Sequence, residues 1–101
     1  MKTVIIEFQY FEDCPNHSTM EKNLISAISG LEDKIEIRKI LVENEEAAQQ
    51  INFRGSPTVL INGIDLENVP SLANASMSCR FYRNGIPSSE VIRKKITDQM
   101  I

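Results

Sequence analysis

The stretch FEDCPNHSTMEKNL, residues 11–24, places a cysteine, a proline and the only histidine of the chain where an apolar run gives way to a helical pattern. It has two interpretations. Either it is a turn in which a thiol occurs by chance, or Cys14 is a nucleophile held at the N-terminus of a helix. Polar residues surround Cys14 at the start of this helical pattern, which favours a reactive thiol over a buried structural one.

The segments next to this stretch predict a strand and a helix. Thr3–Tyr10 is rich in β-branched and aromatic residues, so we expect a strand buried on both faces at its start and half-exposed at its end. After the turn at residues 11–16, apolar residues recur at helical spacing, and Gly30 supplies an end for the helix. The apolar positions are Met20, Leu24, Ile25, Ile28 and Leu31.

A second strand and a second helix follow. Ile35–Val42 alternates and then becomes continuously apolar, which predicts a strand. Glu43–Phe53 has acidic residues in its first turn and a short apolar stripe, so we expect a helix there. The stripe consists of Ala47, Ala48 and Ile51.

The second half of the chain predicts a hairpin, a loop and a final helix. Thr58–Ile61 is a β-run, and Ile64–Leu66 alternates again after Asn62-Gly63, a strong signal for a hairpin turn. Asn68–Ser78 is small, polar and aperiodic, as in a loop. A last helix, with Ser88 as N-cap, carries its apolar positions at Val91, Ile92, Ile96 and Met100.

The predicted order of elements is β-α-β-α-β-β-α, an α/β domain. The strand–helix–strand unit at its start should have a right-handed crossover, which makes the first two strands parallel. The last two strands should form an antiparallel hairpin. Many small α/β domains share this order, so it does not identify the fold by itself.

Length and composition limit the class of protein. A chain of 101 residues with 42% hydrophobic and 25% charged residues is expected to fold as one domain, residues 1–101. The net charge is −3, and the one short basic cluster, Arg93–Lys95, falls in a helical pattern, so we expect no binding to nucleic acid.

The location of the protein is also predicted. The sequence MKTVIIEFQY, residues 1–10, is neither a signal peptide nor a membrane span, so we expect a cytoplasmic protein with no membrane partner. In a reducing compartment its two cysteines should rest as thiols. They are therefore expected to react or to bind rather than to hold the fold together.

Two local motifs point to a known fold. The motif C-P-N-H, Cys14–His17, follows the first strand, and G-S-P-T, Gly55–Thr58, opens the third. This pair resembles the C-x-x-C motif and the facing X-Pro loop of thioredoxin-like proteins. The resemblance implies a thioredoxin-like fold, with a central four-stranded mixed sheet and helices on both faces, and a cis bond between Ser56 and Pro57.

Two further motifs refine this resemblance. The segments C-R-F-Y from Cys79 and G-I-P-S from Gly85 resemble a CPxH-type branch related to thioredoxin-like selenoproteins, some of which carry selenocysteine where Cys14 stands. The chain departs from thioredoxin at His17, where a dithiol oxidoreductase has its resolving cysteine. A disulfide within the C-x-x-H motif is therefore impossible.

The chemistry of the C-x-x-H motif follows from its position. Unpaired amide groups and the positive end of the helix dipole favour the thiolate of Cys14, and Glu12 and Asp13 oppose this effect. His17 lies one turn later on the same helix face, where it could tune the thiol or accept its proton. His17 could equally be an exposed side chain of the first helical turn, or a residue that helps to cap the helix.

Two further residues complete the candidate catalytic set, Cys14, His17, Pro57 and Cys79. Pro57 would shape the backbone beside the thiol and present strand-pairing groups to an extended substrate. The loop before Cys79 starts on the same side of the sheet as Cys14, so Cys79 could resolve a sulfenic acid or a mixed disulfide on Cys14. A buried thiol beneath the last helix is an equally good interpretation of Cys79.

Three functions are compatible with these residues. The first is a thiol-dependent redox protein that needs no cofactor, with Cys14 as the faster-reacting nucleophile, a protein disulfide or small thiol as substrate, and an external thiol as reductant. The second is a soft-metal-binding protein that uses Cys14, His17 and Cys79 as ligands. The third is a thioredoxin-fold module that binds a partner protein without catalysis.

Overall fold

The computed structural model describes residues 3–70 and 77–100. Its strands and helices follow the predicted order, with one additional short 3-10 turn at residues 32–34. The elements are β1 (Val4–Tyr10), α1 (Asn16–Ala27), β2 (Ile35–Leu41), α2 (Glu45–Gln50), β3 (Thr58–Ile61), β4 (Ile64–Asp65) and α3 (Ser89–Asp98).

The four strands form one mixed sheet in the order β2-β1-β3-β4. β1 and β2 are parallel, with Val4 opposite Ile35. β1 and β3 are antiparallel, with Gln9 opposite Thr58, and β3 pairs antiparallel with β4. This arrangement brings the end of β1 and the start of β3 together at one end of the sheet, which is where the C-x-x-H motif and Pro57 lie.

Local sequence signals explain two of the boundaries. Asn62 and Gly63 both have positive φ, 51° and 83°, as the tight turn between β3 and β4 requires. Asn62 also accepts a hydrogen bond from the Ile5 amide through its side chain. The Ser88 side chain accepts a hydrogen bond from the Val91 amide, so Ser88 caps α3 as predicted.

Both of the other helices are shorter than their patterns predict. α1 ends at Ala27 instead of near Gly30, and Ile25, which was assigned to its apolar stripe, is 58% exposed. α2 does not extend over Glu43–Phe53. Asn44 caps it by accepting a hydrogen bond from the Ala47 amide, and Asn52, at φ 51°, has left the helical conformation.

The main core lies between one face of the sheet and the helices α1 and α3. Alternate residues of β1 point into it, and α1 and α3 each contribute a buried apolar stripe. Its members include Val4, Ile6, Phe8, Met20, Leu24, Val59, Ile61, Ile92 and Ile96. We call this set the first cluster.

A smaller core lies on the other side of the sheet, at the end where β1 and β2 stop. We call it the second cluster; it consists of Phe11, Cys14, Val42, Ala48 and Phe53. α2 contributes to it through Ala48, so helices cover both faces of the sheet. Because the second cluster covers only one end of this face, the predicted burial of β1 is reversed: Ile5 and Glu7 are half-buried, whereas both Phe8 and Gln9 are buried.

The structure describes only part of the chain on which two predictions rest, the loop at residues 68–78 and the absence of a membrane span. The predicted loop Asn68–Ser78 includes residues 71–76, which lie outside the described residues. Within residues 3–70 and 77–100, no helix is long and apolar enough to span a membrane.

Candidate redox site

Cys14 and Cys79 are joined by a disulfide bond. They are 65 residues apart in sequence, and their Cα atoms lie 5.7 Å apart. The sequence left open whether Cys79 lies near Cys14, and the structure brings the two together. The structure differs from the expectation that both cysteines rest as thiols, since it holds the pair in its oxidised form.

The two cysteines have different surroundings. Cys14 is 1% exposed and packs in the second cluster, against apolar neighbours that include Phe11 and Phe53. Cys79 is exposed. Cys14 is therefore more buried than its polar neighbours in sequence indicate, since Glu12 and Asp13 beside it are both exposed.

Backbone pairing holds Cys79 in place. The Ser56 amide donates to the Ser78 carbonyl at 2.8 Å, and the Arg80 amide donates to the Ser56 carbonyl at 2.8 Å. These bonds form a parallel bridge between Ser56 and Cys79. We call residues 77–80 the Cys79 segment. It pairs with the residue just before Pro57, whose bond to Ser56 is cis in the structure.

A buried ion pair fixes the end of the Cys79 segment. The Arg80 guanidinium donates to both carboxylate oxygens of Asp65, at 2.6 and 2.8 Å, and to the Thr58 hydroxyl at 3.3 Å. The Asp65 and Arg80 residues are only 4% and 9% exposed. A fork-shaped pair of charge-assisted bonds of this kind restricts orientation as well as distance.

The ionisation of Asp65 reflects this network. Burial acts against its charged form, but the hydrogen bonds from Arg80 and from the amides of Glu67 and Val69 outweigh burial and lower the pKa of Asp65. The two amides belong to the segment that directly follows β4. The carboxylate therefore ties the hairpin to the Cys79 segment.

Three other contacts hold the loop before β3, and the first of them involves the Cys79 segment. Gly55 has φ 108°, and a Cβ atom added there would lie 2.9 Å from the Arg80 Cβ, so a larger residue would collide with the segment. The Ser56 hydroxyl accepts a hydrogen bond from the Phe11 amide at 3.1 Å. The Tyr82 hydroxyl donates to the Pro57 carbonyl at 2.7 Å, and burial raises the pKa of Tyr82.

His17 lies apart from this network. Its ring stacks on Tyr10, with centroids 5.2 Å apart, and Tyr10 packs against the first cluster. Cys14, in contrast, belongs to the second cluster. Among the described residues, no hydrogen bond joins His17 to either sulfur, and its buried Nδ1 atom has no partner.

The proposed metal ligands do not form a cluster here. Within the two described ranges, no three side chains of histidine, cysteine, aspartate or glutamate are grouped so that they could hold a metal ion. The sulfurs of Cys14 and Cys79 are bonded to each other, whereas a metal is bound by thiolate sulfur.

Three solved structures resemble this chain. Thioredoxin-2 of the malaria parasite, described as a component of its protein secretion machinery, superposes with a TM-score of 0.63 and 18% identity over 95% of this chain and 82% of that one. A malarial protein superposes with a TM-score of 0.65 and 16% identity, over 99% of this chain and 100% of that one. A selenoprotein W-related protein from Vibrio cholerae superposes with a TM-score of 0.60 and 13% identity, over 99% of this chain and 100% of that one.

The chain has a thioredoxin-like fold. These superpositions and the mixed four-stranded sheet confirm the predicted fold class, and identities this low establish the fold alone. No family model and no curated protein matches the sequence. The similarity to a selenoprotein W-related structure agrees with the resemblance of the sequence to selenoprotein relatives, and the assignment to a CPxH-type branch stays a prediction.

Sequence reasoning missed the residues that hold Cys79 in place. Arg80 and Asp65 are charged, and charged residues are normally assigned to the surface. Burial alternates along C-R-F-Y, but in the reverse of what side-chain polarity predicts: Cys79 and Phe81 are exposed while Arg80 and Tyr82 are buried. That alternation indicates an extended segment, but it does not identify Asp65 as the partner of Arg80.

Proposed function

We propose that this protein is a thiol-disulfide oxidoreductase whose redox-active couple is the pair Cys14–Cys79. The observation that carries the proposal is the disulfide between two cysteines 65 residues apart, beside Pro57. This pair supplies the second thiol that the C-x-x-H motif lacks. The thioredoxin-like fold and the name of one structural neighbour, thioredoxin-2, support a redox function.

The chemistry of such a couple is an exchange of two electrons. A protein thiolate attacks a substrate disulfide, a protein–substrate disulfide forms, and one substrate thiolate leaves. The second protein thiolate then attacks the protein sulfur of that bond, so the Cys14–Cys79 disulfide forms and the other substrate thiolate leaves. The two protons lost by the protein are taken up by the two substrate thiolates.

The reaction has to be completed by an external thiol. Two molecules of it convert the Cys14–Cys79 disulfide back to two thiols and are themselves joined as a disulfide. The proposed substrates are protein disulfides or small disulfides, and the proposed location is the cytoplasm, where such thiols are abundant. No cofactor takes part in any of these steps.

The remaining candidate residues have supporting roles in this proposal. Pro57 follows the residue whose backbone pairs with the Cys79 segment, and the Pro57 carbonyl accepts the bond from Tyr82. His17 lies in the first turn of α1, three residues after Cys14. From there a positive charge on the imidazole would favour the thiolate of Cys14 through space rather than by a hydrogen bond.

Turnover assays with the two cysteine variants test this function. Dithiothreitol-driven reduction of a protein disulfide should be catalysed by the native protein and be lost in both Cys14→Ser and Cys79→Ser. Ser26→Ala, an exposed position on α1, is the matched control and should retain full activity. Absence of turnover in the native protein would reject the proposed function and favour a non-catalytic binding module. Full activity in Cys79→Ser would reject the Cys14–Cys79 couple and favour a mechanism that uses Cys14 alone with an external thiol.

A further inference from the structure

We infer that Cys79, and not Cys14, is the sulfur that exchanges with external thiols and disulfides, and that Cys14 is the buried partner that closes the pair. This inference rests on the proposed redox function. It reverses the order of events that the C-x-x-H motif predicts, in which Cys14 reacts first.

Access to solvent is the first argument. Thiol–disulfide exchange requires an attacking sulfur to reach its target, so the rate depends on which sulfur is accessible. Cys14 is 1% exposed and enclosed by the second cluster, whereas Cys79 is exposed and is followed at a distance of two residues by Phe81, which is 83% exposed. An external reagent therefore meets Cys79.

The anchoring of the Cys79 segment is the second argument. Backbone hydrogen bonds between Ser56 and residues 78 and 80 hold the segment on both sides of Cys79, and the Arg80–Asp65 ion pair fixes its end. None of these contacts involves a sulfur atom. The segment should therefore stay in place when the disulfide opens, which keeps Cys79 at the surface and beside Cys14.

The same contacts restrict how a substrate can bind. The Ser56 amide and carbonyl both bond to the Cys79 segment. An extended substrate cannot pair with Ser56 unless it displaces residues 78–80. We expect instead that a substrate approaches the exposed residue Cys79 directly.

The leaving group supplies a third argument. When a thiolate attacks one sulfur of a disulfide, the other sulfur departs as a thiolate, and the reaction is faster when that thiolate is stabilised. Cys14 directly precedes Pro15, the N-cap of α1. The dipole of this twelve-residue helix stabilises a negative charge there and opposes the cost of a thiolate in the apolar second cluster, so it assists the departure of Cys14.

The reductive half-reaction is then fully specified. An external thiolate RS⁻ attacks Cys79, a bond forms between the reagent and the Cys79 sulfur, and the Cys14–Cys79 bond breaks. The Cys14 sulfur leaves with the electron pair and takes a proton from solvent. A second RS⁻ attacks the reagent sulfur, which releases RSSR and the Cys79 thiolate, and the latter also takes a proton.

Alkylation of the reduced native protein tests this order without a substitution that could disturb folding. The protein is treated with a limiting amount of iodoacetamide near neutral pH, and the two cysteines are quantified by mass spectrometry. We expect Cys79 to react at least about tenfold faster than Cys14. Labelling in 6 M guanidinium (about the concentration that unfolds most proteins) should equalise the two rates. Faster labelling of Cys14 in the folded state would overturn the inference.

Trapping of mixed disulfides is the second test. With oxidised glutathione, Cys14→Ser should rapidly form a glutathione adduct at Cys79, whereas Cys79→Ser should react slowly at Cys14. The opposite result would overturn the inference but leave the Cys14–Cys79 couple intact, provided that the native protein still turns over. If neither variant forms an adduct and the native protein is inactive, both the inference and the proposed function fail.

Discussion

The two faces of the sheet are built from different interactions. The face under α1 and α3 is a continuous apolar core, with side chains such as Ile92 and Ile96 fully buried. On the other face, the described residues form the five-residue second cluster at one end and a polar network that runs from Asp65 through Arg80 to Ser56. The first face determines which fold forms, and the second determines where Cys79 lies.

This difference shows how a site can be assembled away from the main core. Apolar packing is non-directional and tolerates small shifts, whereas charged hydrogen bonds restrict orientation. The Cys79 segment is held mainly by the directional kind. Substitutions on the two faces should therefore differ in what they change: stability alone on the apolar face, and both stability and disulfide closure on the polar face.

The largest effect is expected from Asp65→Asn. It leaves the buried Arg80 charge without its partner, so the free energy of unfolding should fall by about 3–5 kcal/mol. The folded, reduced protein should also close its disulfide less readily in a glutathione buffer, because Cys79 is held less firmly. Chemical denaturation and mass spectrometry measure the two effects.

Glu36→Gln is the matched control for Asp65→Asn. Glu36 also pairs with an arginine, Arg38, but both side chains of this pair are about half exposed. Its loss should change the free energy of unfolding by less than about 1 kcal/mol and leave disulfide closure unchanged. Equal effects of the two substitutions would contradict a special role for the buried pair.

A smaller effect, on stability alone, is expected from Ile96→Ala. Ile96 is fully buried in the first cluster, so the substitution leaves a cavity and should lower the free energy of unfolding by about 3 kcal/mol. The equilibrium constant for forming the Cys14–Cys79 disulfide in the folded protein should stay within about twofold of the native value, because no residue of the Cys79 segment belongs to the first cluster. A large loss of closure would show that the two faces are coupled.

The smallest effect is expected from acid. The pKa of Asp65 in the folded protein is lowered, so its contribution to stability is complete above its unfolded value of about 3.9 and is lost as the pH falls through the folded value. The difference in stability between the native protein and Asp65→Asn should therefore shrink below about pH 4. A difference that stays constant down to pH 2 (about two units below the unfolded value) would contradict this account.

The sequence predicts the sheet face under α1 and α3 better than the face that carries the second cluster and the Asp65–Arg80 pair. The apolar spacing of Met20 and Leu24, the Asn62-Gly63 turn and the Ser88 cap are local signals, and each has its structural counterpart. The length of α2 and the burial of Cys14 depend instead on which segments meet in space. No pattern within a few residues encodes such a meeting.

The polar network shows this limit most clearly. Arg80 and Asp65 are 15 residues apart, and neither stands in a recognisable motif with the other. The topology left Cys79 free to lie near Cys14 or elsewhere, because the connection from β4 is long and aperiodic. Only the folded arrangement identifies Asp65 and Ser56 as the residues that place Cys79 beside Cys14.

Equilibration of the native protein in glutathione buffers tests the central claim most directly. Mass spectrometry of acid-quenched samples would follow the fraction that carries the Cys14–Cys79 disulfide. We expect one reversible transition between dithiol and disulfide, governed by the square of the reduced glutathione concentration divided by that of oxidised glutathione, with little glutathione adduct. Independent formation of glutathione adducts at each cysteine, without the Cys14–Cys79 disulfide, would contradict it.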